Sequence, residues 1–257
     1  MPATDLDLLT HAARRSGDIA KSYFGQSPDI WHKPDDAGPV TAADLAVNAM
    51  LHSTLLAARP AYGWLSEETE DSAARLDAET LFVVDPIDGT RAFIEGGKDW
   101  SHSLAVVRKG SVIAAAVYVP MRDLMFTAHI DGGAFLNGAP LAPTPQTALS
   151  QATILTHKAN YQPKFWRDGI VPEAKTAFRS SLAYRLCLVA QGRFDAMITL
   201  RPTWEWDIAA GALIVSEAGG TATDQAGKTL LFNNPHPQLN GLVAAGGLHG
   251  PLLAQLA

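Results

Sequence analysis

The sequence predicts a mixed α+β and α/β protein built as a layered sandwich, and three observations lead there. Helical periodicities alternate with short apolar strands, most regularly in the second half, and such alternation stacks helices on sheets. The run Leu81-Phe82-Val83-Val84 is apolar at every position, as in a buried strand. The 257 residues suffice for one large domain or two modest ones sharing a core.

Thr4-Asp5-Leu6-Asp7 has capping-box spacing, so a first amphipathic helix starts there and runs to about Gly25. The stretch 27–39, rich in Pro, Asp and Gly, predicts a loop or a hairpin with a mobile tip. Thr41-Ala42-Ala43-Asp44 repeats the capping box and opens a second helix to about Ala58. Strands are expected at 62–66, 81–84, 104–107, 112–119 and 124–128. Turns follow at Asp131-Gly132-Gly133 and Asn137-Gly138. The segment 139–151, poor in large apolar residues, divides the chain into a 1–140 half and a 141–257 half. Beyond it come a strand at 152–156, a helix at 181–191 closed by Gly192, and a strand at 196–200. A helix at 207–218 ends on Gly219-Gly220.

Hydrophobic residues make up 47% and charged residues 18%, an ordinary globular composition. A formal charge of −6 disfavours a nucleic-acid polymer as partner, though not a small anion bound through cations. The single cysteine, Cys187, excludes an intramolecular disulfide and reads as a buried thiol. No apolar run approaches a membrane span, and the N-terminus lacks the basic flank of a signal peptide, so a cytoplasmic protein without a membrane partner is expected.

Asp85 follows the apolar strand directly, where open sheets bind ligands. Pro86 is expected to stop the ladder, leaving Asp88 three residues on, across a tight turn. Two carboxylates that close repel unless a cation separates them, and hard oxygen ligands suit Mg²⁺, with the Ile87 carbonyl as a third oxygen. Gly89 and Thr90 lead into Arg91-Ala92-Phe93-Ile94; a helix starting there would aim free N–H groups at an anion. Of Glu67 and Glu68, strand alternation lets one reach such a site; alone, the pair reads as a solvated face. Asp207 reads as an N-cap and Asp44 as the acid of a capping box, and either role holds a carboxylate rigidly enough for catalysis.

These pieces together resemble the inositol monophosphatase superfamily of metal-dependent, lithium-sensitive phosphatases. The resemblance runs over nearly the whole chain, through Pro39-Val40-Thr41-Ala42-Ala43-Asp44, Ser66-Glu67-Glu68, Asp85-Pro86-Ile87-Asp88-Gly89-Thr90, and Trp206-Asp207 with Ala218-Gly219-Gly220. It implies the αβαβα fold of the sugar phosphatases and hydrolysis of a phosphomonoester by metal-activated water. Glu67, Asp85, Asp88, Asp207 and the Ile87 carbonyl would hold two or three Mg²⁺ ions. Asp44, Thr90 and Glu67 would form the catalytic set, with Thr90 and Asp44 orienting the water. Substrate would contact Asp88, Gly89, Thr90, Ser180, Ser181 and Asp207. Lys33 and Asp36 correspond to a loop that carries a further metal or lid function in relatives. Relatives are often dimers, so a homodimer is also an expectation.

Within the superfamily, the chain looks closest to the 3′(2′),5′-bisphosphate nucleotidase (CysQ-type) branch. The resemblance lies in Val117-Tyr118-Val119-Pro120, Arg91-Ala92-Phe93-Ile94, and Ser180-Ser181-Leu182 before Cys187-Leu188-Val189-Ala190-Gln191-Gly192. That branch converts adenosine 3′,5′-bisphosphate to AMP. Ala183 departs from the branch's usual lysine, leaving Arg179 or Arg185 as candidate partners for a second phosphate. Trp204 and Trp206 read either as an adenine platform or as core. The alternatives are an inositol-1-phosphate or histidinol-phosphate phosphatase and, from another class, a non-catalytic metal- or phosphate-binding regulator.

Overall fold

In a computed structural model that describes residues 4–26, 29–32 (the backbone alone at His32) and 38–257, Thr4 opens α1 (Asp5–Tyr23) through the expected reciprocal bonds with Asp7. β1 (Ile30–His32) and β2 (Pro39–Thr41) pair antiparallel as a hairpin. Lys33, Asp36 and the expected tip lie outside the described residues. Thr41 caps α2 (Ala42–Ala58) through the second capping box.

β3 (Gly63–Ser66) and β4 (Thr80–Asp88) begin the large sheet, and the short α3 (Thr90–Ile94) follows. β5 (Ser101–Arg108), β6 (Ser111–Val119), β7 (Leu124–His129), β8 (Ala134–Leu136) and β9 (Ala139–Pro140) complete it in sequence order. Only the β3–β4 pair is parallel. The second half contributes β10 (Thr153–Leu155), β11 (Lys175–Ala177), α4 (Leu182–Ala190), β12 (Ala196–Thr199), β13 (Thr203–Trp204) and α5 (Glu205–Glu217). It ends with β14 (Thr221–Thr223), β15 (Gln238–Leu239), β16 (Leu242–Ala245) and α6 (His249–Gln255). Its five-stranded sheet has the order β11-β10-β12-β16-β14, while β13 and β15 form a separate pair.

Strand alternation sorts these elements into αβαβα layers. Phe82, Val84, Leu104 and Val106 face α1 and α2, packing on Leu9, Val47, Leu51 and Leu55. Their neighbours Leu81, Val83, Ala105 and Val107 face the opposite way, into a core shared with α4 and α5 that reaches Met197 and Leu242. Each buried Val, Leu or Phe among them contributes roughly 1.5–3 kcal/mol. The outer face of the small sheet is closed by α6 through Leu252, together with Leu248 just before it and Trp166 from the 163–169 segment. The α4–α5 contact is tight at Gly211, where a Cβ would stand 2.5 Å from the Leu186 side chain. Cys187 is fully buried in this layer. Among the described residues, no helix is long and apolar enough to cross a membrane.

Two expectations need correction. β4 does not end at Pro86; it runs to Asp88 through an irregularity described below. α5 begins at Glu205, with Trp204 in the capping position, so Asp207 is the third helical residue rather than the N-cap. A distant loop is tied to this start. Glu205, fully buried, accepts from the Asn233 and Asn234 N–H groups at 2.7 and 2.9 Å. Arg75 donates to both Asp71 oxygens, to Asn233 Oδ1 at 2.6 Å and to the Asn234 carbonyl at 2.9 Å. Arg75→Met leaves those acceptors short of donors and is expected to cost about 3 kcal/mol. The check is a lowered denaturant midpoint at unchanged slope; an unchanged midpoint would remove the network from the account of how α5 begins.

Candidate metal and phosphate site

The register of β4 against β5 creates the site. Asp85 pairs with Ser103 and Asp88 with Ser101, so three steps on one strand match two on the other. One extra residue makes a β-bulge. On a regular strand, residues three apart point to opposite faces. The bulge instead brings both carboxylates to one side, where an oxygen from each of Asp85, Asp88 and Asp207 lies within 4.8 Å of the others.

Their electrostatics are unfavourable without a cation. Asp85 is 1% exposed, and its Oδ1 has no hydrogen-bond partner among the described residues. Burial first, then the negative charges of Glu67, Asp88, Asp207 and Glu68, push its carboxyl well above the ordinary 3.8. Burial also raises Asp88, against the pull of two short bonds: Ser181 Oγ and the Ala183 N–H both donate to its Oδ2 at 2.7 Å. Asp207 keeps some solvent contact, yet enclosure of its carboxylate, with Asp88 and Glu67 nearby, pushes it up strongly; Arg201 and Arg185 oppose this. Glu67 follows β3, its N–H donating to the Val84 carbonyl, and it lines the same cleft, whereas Glu68 does not. Close-set hard oxygens with an unpartnered buried atom fit a divalent ion of the Mg²⁺ kind.

Asp44 serves two purposes. Its Oδ2 accepts from Thr41 N–H and Oγ1 at 2.9 and 2.5 Å, completing the α2 cap. Its Oδ1 lies 3.3 Å from Thr90 Oγ1, which also lies 3.0 Å from the Ile87 carbonyl. Gly89 leads into α3 with φ 97°, and a Cβ there would press on Ser181 N and Asp99 O at 3.3 and 3.4 Å.

The second half supplies the remaining wall. Ser180 lines the cleft. Ser181 does not, which corrects its expected substrate contact. It is fully buried, and its Oγ donates to Asp88, accepts from Tyr184 N–H and bonds Ser101 Oγ at 2.9 Å. Arg179 pairs with Asp99 at 3.5 Å. Arg185 donates to the Arg179 and Ser180 carbonyls and stacks on Phe178; burial pulls it down to about 10. Arg91, Lys164 and Arg201 are further cations on the cleft. Arg201 and Lys164 belong to no motif, so the sequence carries no signal for them. Trp204 and Trp206 stack on each other at 4.7 Å and 9°, with Trp204 on the cleft and Trp206 against the core.

Layer order and carboxylate cluster together fit the class of metal-dependent phosphoric monoester hydrolases. The chain belongs to the inositol monophosphatase family, whose model matches residues 3–257. It is 33% identical over 238 residues to an inositol-1-monophosphatase of Rhizobium meliloti, covering 86% of each chain. The Thermotoga maritima IMPase superposes with a TM-score of 0.83 at 28% identity, covering 97% of this chain and 95% of that one. A Staphylococcus aureus inositol monophosphatase II, solved with inositol monophosphate bound, gives 0.79 at 25% identity, covering 96% and 91%.

Proposed function

We propose that the chain hydrolyses a small phosphate monoester with two or three Mg²⁺ ions, held by Glu67, Asp85, Asp88, Asp207 and the Ile87 carbonyl. The observation that carries this reading is the buried carboxylate cluster with its unpartnered Asp85 oxygen, opening into a cleft of about 910 Å³. When bound, the ions supply Lewis-acid polarisation and a water acidified enough to react near neutral pH. Thr90 accepts a hydrogen bond from that water and turns its own hydrogen toward Asp44, while Glu67 assists from the β3 side. The N–H groups of Gly89 and Thr90 bind the phosphate oxygens. The 1–140 half thus carries most of the ligands, and the 141–257 half adds Asp207 and selects the alcohol.

For the alcohol, the cleft supports adenosine 3′,5′-bisphosphate, giving AMP and phosphate. Arg91, Lys164 and Arg201 suit a second phosphate, and Phe178 and Trp204 suit a base. The names of the relatives favour a second reading, inositol 1-phosphate, with histidinol phosphate beside it. A phosphate-release panel over the three esters with Mg²⁺ separates them, and release from none sinks the enzymatic reading in favour of a binding regulator. Arg201→Ala is expected to raise KM for the bisphosphate about tenfold by removing a charge-assisted contact, with little change for inositol 1-phosphate. Equal effects on both would remove the second-phosphate assignment.

A further inference from the structure

His102 stands alone opposite the bulge. With Asp85 paired to Ser103 and Asp88 to Ser101, it is the one β5 residue facing both Pro86 and Ile87. The side chain is fully buried, and its Nδ1 lies 2.5 Å from the Pro86 carbonyl oxygen. A carbonyl only accepts, so Nδ1 carries the hydrogen and Nε2 the lone pair. Nε2 has no partner among the described residues. Trp100 meets the ring edge-on at 5.6 Å, and Tyr118 lies across it at 6.4 Å.

The geometry at Pro86 explains why this bond matters. Each residue has two soft dihedrals, and the proline ring already fixes φ. What remains is ψ, which sets where the Pro86 carbonyl points and hence how the chain enters Ile87 and Asp88. We propose that His102 is a positioning residue for the metal site: its Nδ1–H holds the Pro86 carbonyl and thereby fixes the bulge that turns Asp85, Asp88 and the Ile87 carbonyl toward one point. The role rests on reading those three groups as ligands. His102 touches neither metal nor substrate.

The test is Mg²⁺ titration calorimetry on the full chain, comparing wild type with Asp85→Asn, His102→Phe and His102→Asn. Phe keeps a ring but donates nothing; Asn places an N–H donor the same number of bonds from the backbone as Nδ1. His102→Phe is expected to weaken Mg²⁺ binding about 10- to 100-fold, as loss of an outer support does, with His102→Asn returning to within about threefold of wild type. If Asp85→Asn loses Mg²⁺ while His102→Phe binds normally, the positioning role is overturned and the ligand reading stands. If Asn is as weak as Phe, the hydrogen bond is not the cause and the proposal fails. If wild type binds no Mg²⁺, both readings fall. Nitrogen-15 NMR of the wild-type histidines decides the case even should His102→Phe not fold. The Nδ1–H tautomer is expected at neutral pH, and an Nε2–H tautomer overturns the proposal.

Discussion

Asp85→Asn is expected to lower kcat/KM by about 10³-fold or more, some 4 kcal/mol of transition-state stabilisation. The side chain stands at the centre of the cluster, with one oxygen that nothing in the described protein satisfies. An amide there keeps the volume but loses the charge that opposes a divalent ion. Stability should move the other way. In metal-free protein, burial holds the carboxyls of Asp85, Asp88 and Asp207 above 3.8, and neighbouring acids add to the rise at Asp85 and Asp207. The folded chain therefore keeps protons that the unfolded chain releases. Its stability falls as pH climbs from the ordinary carboxylate value through the raised ones, and Mg²⁺ restores it. Above that range, metal-free Asp85→Asn should melt at a higher temperature than metal-free wild type. Full phosphatase activity in the variant would refute the ligand assignment, and a lower metal-free melting temperature would refute the electrostatic account.

Thr90→Ala should reduce kcat about 10²-fold, a usual size for a positioned proton-transfer group, with KM and Mg²⁺ affinity nearly unchanged. Thr90 Oγ1 lies within reach of both Asp44 and the Ile87 carbonyl, and the residue is only 9% exposed, so the hydroxyl is fixed before any water arrives. Thr90→Ser keeps the hydroxyl and should recover most of the rate. Steady-state kinetics over a Mg²⁺ series reads the split. A loss appearing in Mg²⁺ affinity instead of kcat would make Thr90 a support for Ile87, with no part in activating water.

What the sequence made legible was local. Both capping boxes appear as spaced, because Thr4 with Asp7 and Thr41 with Asp44 act within one turn. The apolar run at 81–84 marks β4 because both faces of that strand are covered. The bulge was not legible: it depends on register with β5, and Pro86 alone reads as a stop. The structural role of Ser181 leaves no local trace, because its partner Asp88 lies 93 residues away. Asp207 looks like a cap in the sequence because the start of α5 is fixed by Glu205 against Asn233 and Asn234, a contact with no local signature. His102 has one visible signal in the sequence: it is a histidine between two serines on an apolar strand, just past the carboxylate motif.

The double use of Asp44 bears on how descendants of such an enzyme would diverge. One oxygen fastens the first turn of α2 and the other meets Thr90. A lineage that abandoned hydrolysis would still need the first bond, so its aspartate would persist as a fossil of architecture. Thr90 has no such second duty to a helix start, and its disappearance would be the earlier mark of a retired catalyst.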